Sequence, residues 1–197
     1  MSLRVEQDGR LCRIAFAIPE KRNVLDAEAC RALLREIIDA AAADQTGAIL
    51  LEADGPVFCA GAEPDSGDLF TIRERIAKPI VAAVQGVAIS GGLALVANAH
   101  VAIAAQGTSF GLTDIREGKW SPVIFRAIAN AVGDRRAMEL GLTGRVFSTP
   151  DALAWGLVHS VAPAFELDDR ATEIATALAN ANPAAVREAL SRTDRQG

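Results

Sequence analysis

The sequence of 197 residues predicts an α/β fold, and three observations carry that expectation. Apolar strand-like runs alternate with segments that repeat hydrophobics every three or four residues, so consecutive strands should lie parallel with helices between them. Two runs, Ala48–Ala53 (AILLEA) and Ile80–Ile89, are nearly continuous in apolar residues, as strands covered on both faces are. About one residue in five is alanine, beside only 7 Phe, 2 Trp and no Tyr, a composition for helices packed closely on a β scaffold.

The elements follow in order. Leu3–Gln7 and Leu11–Ile18 flank an Asp8-Gly9 turn and read as a hairpin. Asp26 is placed to cap a helix whose apolar face is Leu33, Leu34, Ile37, Ile38 and Ala41. After the Ala48–Ala53 strand, Asp54-Gly55-Pro56 closes a turn, Val57–Ser66 is a loop, and Asp68–Ala77 is a short helix ended by Lys78-Pro79. Ile80–Ile89 then reads as strand, Gly91–Ala99 as helix and His100–Ala105 as strand. Gly133 divides the helices Pro122–Val132 and Asp134–Leu142; Pro150–Trp155 is a shorter helix stopped at Gly156. Leu157–Ala162 is strand-like, and helices over Glu166–Asn180 and Pro183–Ser191 close the chain. No repeat or linker divides it, so residues 1–162 are expected to form the core and 163–197 a helical segment of the same domain.

Composition excludes several classes. Half the residues are apolar and 23% are charged, and the mean hydropathy is +0.21, which rules out a disordered chain. A net charge of −5 and the scarcity of aromatics exclude a general nucleic-acid binder, although a local basic patch would suffice for one anionic ligand. Cys12, Cys30 and Cys59 are odd in number and lack metal-ligand spacing, so buried thiols are expected, with no metal site. The first ten residues carry charges where a signal peptide needs an apolar run. Ile80–Ala105 is long enough to span a bilayer, but Gln85, Gly86, Ser90, Gly91, Gly92, Asn98 and His100 break it. A soluble cytoplasmic protein with no membrane partner is the expectation.

Two loops concentrate the chemistry. Phe58–Glu63 (FCAGAE) follows one buried strand, and Gly86–Leu93 (GVAISGGL) follows another and opens a helix. Glycine at a helix start frees N–H groups to face an anion. Two such loops in convergence would aim two N–H donors at one oxygen, whereas tight turns alone would need the same glycines for geometry.

At these loops the sequence resembles the enoyl-CoA hydratase/isomerase (crotonase) family. Pro19–Asp26 is similar to the family's early CoA-contacting turn, and Phe58–Glu63 to its FxAGAD-type loop with Glu63 for Asp. Lys78–Gly86 resembles the KPxIAAVxG approach to the glycine loop, and Phe110–Asp114 the FG-x-PE segment. Leu142–Arg145 and Ala152–Val158 match later blocks. The resemblance implies a crotonase-like (ClpP/crotonase) spiral of ββα units with C-terminal helices, assembled as a homotrimer or hexamer. It implies an acyl-CoA or enoyl-CoA substrate, with coenzyme A arriving as part of that substrate and no other cofactor. It places oxyanion donors at the backbone N–H of Ala62 and Gly91. Substrate or CoA contacts are assigned to Arg22, Asn23, Val24, Ala60, Gly92 and Trp120, the last as an acyl-pocket wall.

The departures bear on the reaction. The family's hydratases activate water with two carboxylates; the first position is Ala94 here and the second Asp114. Asp is one methylene shorter than the usual Glu, roughly 1.3–1.5 Å less reach. A single acid/base at Asp114 suits a proton shift along an enoyl chain better than addition of water. A cap of a turn is the alternative role for Asp114. The stretch Pro64–Ala77 is shorter than the family's usual helical segment, and the chain stops at Gly197; both bear on how CoA is enclosed and how a trimer would form. Two other readings remain: an acyl-CoA-binding homologue without turnover, and a serine esterase in which Ala88–Gly92 is an A-x-S-x-G elbow with Ser90, Asp114 and His159 in order.

Overall fold

The computed structural model describes residues 3–63 and 67–193; the ends of the Val57–Ser66 loop and of the 163–197 segment lie outside these residues. A hairpin of β1 (Leu3–Asp8) and β2 (Leu11–Phe16) leads to α1 (Ala27–Ala42) and β3 (Ala48–Ala53). Then come β4 (Ile80–Val84), β5 (Val87–Ile89), α2 (Gly91–Asn98), β6 (Val101–Ala105) and β7 (Ser109–Gly111). The remainder is α3 (Pro122–Val132), α4 (Asp134–Thr143), β8 (Val146–Ser148), α5 (Thr149–Ala154), β9 (Ser160–Ala162), α6 (Leu167–Ala179) and α7 (Pro183–Thr193).

Two sheets result. The larger runs β1-β2-β3-β4-β6-β9, parallel throughout except for the opening hairpin; the smaller runs β5-β7-β8. The orders β4-β5-α2 and β6-β7-α3 repeat one unit, a strand in each sheet followed by a helix. Side chains that alternate along a strand serve opposite faces. Ile49, Leu51, Ile80, Ala82 and Val84 therefore join the core with α1 and α2, while Ala48, Leu50, Val81, Ala83 and Ile103 pack under Leu167, Ala171 and Ala175 of α6. Coverage on both faces is why these strands read as continuous apolar runs.

Several expectations are corrected. Ile80–Ile89 is two strands, because the chain turns at Gly86 (φ +64°) and hands β5 to the other sheet. A Cβ at Gly86 would also stand 1.8 Å from the Pro56 carbonyl oxygen, so no other residue fits. The helix over Asp68–Ala77 is a 3-10 helix over Asp68–Glu74. The strand over Leu157–Ala162 shrinks to Ser160–Ala162, and two three-residue strands, β7 and β8, were not expected. On α1 the buried stripe is Ala29, Cys30, Leu33, Ile37 and Ala40, with Ile38 turned to solvent.

Both histidines stitch the parallel sheet. The His100 N–H donates to the Ile80 carbonyl (2.8 Å) while its Nδ1 accepts the Ile80 N–H (2.9 Å). One strand further, His159 repeats the pattern on Ala102, at 2.8 and 3.0 Å. Burial, followed by the charge of Arg73, pushes the His100 imidazole down to about 4.

Candidate active site

The Phe58–Glu63 loop is gripped from two sides. Toward β5, the Cys59 N–H donates to the Val87 carbonyl and the Ile89 N–H to the Cys59 carbonyl, both at 3.1 Å. Toward α1, the Leu25 N–H donates to the Gly61 carbonyl (3.1 Å) and the Glu63 N–H to the Leu25 carbonyl (2.8 Å). A parallel bridge made this way uses the residues flanking Ala62, so the Ala62 N–H points away from Leu25.

Asn23 holds the neighbouring turn. Its Oδ1 accepts the Ile18 N–H (3.0 Å), and its Nδ2 donates to the carbonyls of Asp54 (2.9 Å) and Val57 (2.7 Å). The side chain is fully buried and fastens the turn to the loop after β3. Arg22, in a left-handed conformation (φ 54°), exposes its side chain and accepts the Ala60 N–H on its carbonyl.

Gly91 is the first residue of α2, a position whose N–H has no carbonyl one turn back to bond. A Cβ there would come within 2.8 Å of the Ala62 nitrogen, so the two loops meet backbone to backbone. Gly92 is buried, and a Cβ on it would stand 2.2 Å from the Cys59 carbonyl oxygen. Its work is close packing of α2 on the first loop.

A pocket of about 720 Å³ opens beside this junction, lined among others by Val24, Ala60, Ala62, Ser90, Asp114 and Trp120. The Asp114 Oδ2 is buried there without a hydrogen-bond partner. Its carboxylate caps nothing among the described residues, although Asp114 opens the 3-10 helix Asp114–Glu117. Leaving a buried polar atom unpaired costs about 1–3 kcal/mol, and such atoms in a cleft are candidates for chemistry. Glu117 at the same pocket is exposed and paired with Lys119 at 2.9 Å. Trp120 packs against Phe125 in a tilted arrangement, with centroids 5.2 Å apart and planes at 35°. A larger groove, about 1070 Å³ at the ends of β3 and β4, shows satisfied charges instead: Arg13 pairs with Glu52 and Asp168, and Arg4 with Glu6 and Asp54.

Ala94 is fully buried within α2, in the apolar core. The esterase triad is not assembled: His159 is engaged by Ala102, and among the described residues no histidine lines the pocket.

The sequence model of the Enoyl-CoA hydratase/isomerase family matches residues 6–196. The chain belongs to this family. Its fold is the crotonase fold: an enoyl-CoA hydratase from Mycobacterium smegmatis superposes with a TM-score of 0.88 at 30% identity, covering 99% of this chain and 89% of that one. Enoyl-CoA hydratase domain-containing protein 3 of Rattus norvegicus is 28% identical over 192 residues, 89% of this chain and 64% of the relative. Mevalonyl-coenzyme A hydratase of Aspergillus fumigatus is 36% identical over 116 residues, 58% of this chain and 43% of the relative. The chain thus spans less than two thirds of the length of these curated relatives. Among the described residues no helix is long and apolar enough to cross a membrane, and Ile80–Ala105 folds into β4, β5, α2 and β6.

Two features escaped the sequence. The Asn23 clamp reaches 31 and 34 residues along the chain, beyond any local pattern. The strained backbone of Ser90 was signalled only by its place between a strand and a helix-opening glycine pair.

Proposed function

We propose that this chain binds an acyl-CoA thioester and moves a proton along its acyl group. The Ala62 and Gly91 N–H groups hold the thioester oxygen, and Asp114 is the single acid/base. What carries the reading is the buried, unpartnered Asp114 Oδ2 in the pocket that Ala62 lines. Removal of a proton from the carbon next to the thioester leaves negative charge on that oxygen, where two fixed N–H donors stabilise it most. Return of the same proton two carbons further along shifts the double bond and regenerates Asp114. Only one carboxylate is needed for this exchange.

Addition of water would call for a second carboxylate to orient it. The position that would supply one is the buried Ala94, so isomerisation is favoured over hydration. The exposed Arg22 would meet the CoA phosphates, while Val24, Ala60 and Trp120 would line the path of the acyl chain.

The test is a panel of acyl- and enoyl-CoA esters incubated in deuterated water and read by mass spectrometry. Deuterium uptake or double-bond migration is expected with wild type and should drop by roughly 10²–10⁴ in Asp114→Asn, with binding retained. Binding without exchange across the panel would instead identify an acyl-CoA-binding homologue without turnover, the reading that the apolar Ala94 also suits.

A further inference from the structure

Ser90 has no part in the chemistry above, yet its placement is costly. Its backbone sits at φ 49°, ψ −108°, a region that glycine enters freely and a side chain does not. Strain of this kind persists where the surroundings over-determine it, and it clusters at functional sites. Ser90 is only 8% exposed, and what it does expose lines the pocket beside Ala62 and Asp114.

Its bonds leave one group unused. The Ser90 N–H donates to the Gly111 carbonyl at 2.8 Å, and Oγ accepts the Thr113 N–H at 3.4 Å. Both contacts fasten Ser90 to the segment that carries Asp114. A contact of 3.4 Å is long, so it steers the hydroxyl more than it holds it. Acceptance uses one lone pair and leaves the hydroxyl proton to give. Among the described residues no protein acceptor takes that proton.

The arrangement of strand, serine and helix, with the Gly91 N–H next in line, is that of a nucleophile elbow. A nucleophile needs a base of suitable strength, and His159 is engaged elsewhere. Among the described residues no hydrogen bond joins Oγ to Asp114 either, so no base is placed to take its proton. The hydroxyl therefore stays protonated and serves as a donor.

We propose that the Ser90 Oγ–H is a third hydrogen-bond donor to the thioester oxygen, completing a site of two amides and one hydroxyl. This rests on the thioester reading of the pocket. The donor strengthens as charge develops on the oxygen, so its loss should lower the rate more than the affinity.

Ser90→Gly and Ser90→Ala test it together, because glycine removes the hydroxyl while relieving the strain. The probe is acetoacetyl-CoA, whose bound enolate is read by near-ultraviolet absorbance, alongside deuterium exchange on an enoyl-CoA. Both variants should lose most of the enolate signal and exchange roughly tenfold to hundredfold more slowly, with a smaller loss of affinity for a saturated acyl-CoA. Ser90→Gly should melt no lower than wild type. Full enolate signal and rate in Ser90→Gly would overturn the proposal and leave Ser90 as a turn residue. An acyl adduct on Ser90 by intact mass would also overturn it, in favour of a nucleophile. If wild type neither binds nor enolises the probe, the thioester reading fails and takes this one with it.

Discussion

A side chain on Gly91 would collide with Ala62: its Cβ would lie 2.4 Å from the Ala62 Cβ and 2.8 Å from the Ala62 nitrogen. The two loops come together only because residue 91 is bare. Gly91→Ala should therefore push the amides apart, costing about 1–3 kcal/mol of stability. Exchange should fall by about a hundredfold or more as the paired donors lose their common target. Urea unfolding and the exchange rate give the two readouts. An unchanged rate in a folded variant would show that the amides do not share a ligand oxygen.

Restoring the missing acid should not restore a hydratase. Ala94 is fully buried among apolar side chains, so Ala94→Glu places a carboxyl where nothing pairs with it. A loss of roughly 3 kcal/mol or more is expected, with no gain in water addition. Thermal melting, together with an assay of 3-hydroxyacyl-CoA formation, checks both halves.

The Asn23 amide makes three hydrogen bonds in a fully buried position. Asn23→Ala leaves the Ile18 N–H and two carbonyls without partners, and about 2–4 kcal/mol should be lost. Asn23→Asp should be no better, since its oxygens would face the Asp54 and Val57 carbonyls. Denaturant midpoints of the two variants decide this; a near-wild-type Asn23→Asp would mean that the donor bonds contribute little.

Stability should fall in mild acid through His100. The folded imidazole is pushed down to about 4 from 6.5, so between those values the unfolded chain binds the proton and the folded one does not. Its contribution is full above pH 6.5 and is lost as the pH falls toward 4, by roughly 2–3 kcal/mol. Urea midpoints across that window should flatten in His100→Gln. An unaltered slope would assign the acid sensitivity to other groups.

Trp120 rests on Gly141, where a Cβ would stand 2.9 Å from the Cη2 and Cζ3 of the indole. The indole is 42% exposed and can give way, so Gly141→Ala should tilt it toward the pocket with little loss of stability. A shift in Trp fluorescence and a higher KM for longer acyl chains are the expected outcomes. An unmoved spectrum would show that the backbone of α4 shifts to make room instead of the indole.

Local chemistry was legible in the residues themselves. The Asp8-Gly9 turn sets the β1–β2 register, and Asp26 accepts the Ala29 N–H at 2.9 Å as the cap of α1. The glycine loops declared a strand followed by a helix with unpaired N–H groups, and the alternation of strand and helix gave the parallel sheet. These features depend on neighbours within a few positions, which a single chain displays. Strands β7 and β8 were not visible because three residues are too few for a period to emerge. The division of Ile80–Ile89 was hidden for another reason: both halves are apolar, and only their partners, β6 for one and β7 for the other, separate them.

Contacts between distant segments settled the rest. The motif of Ser90, Asp114 and His159 fitted an esterase by order alone, until the sheet placed His159 against Ala102. Asn23 clamps and Gly92 packs against carbonyls in the loop after β3, roles that their local sequence does not display. The meaning of Asp114 rests on what does not reach its Oδ2. Whether a polar atom is spent on the fold or left for a ligand depends on partners far along the chain, and only packing in three dimensions brings those partners near or keeps them away.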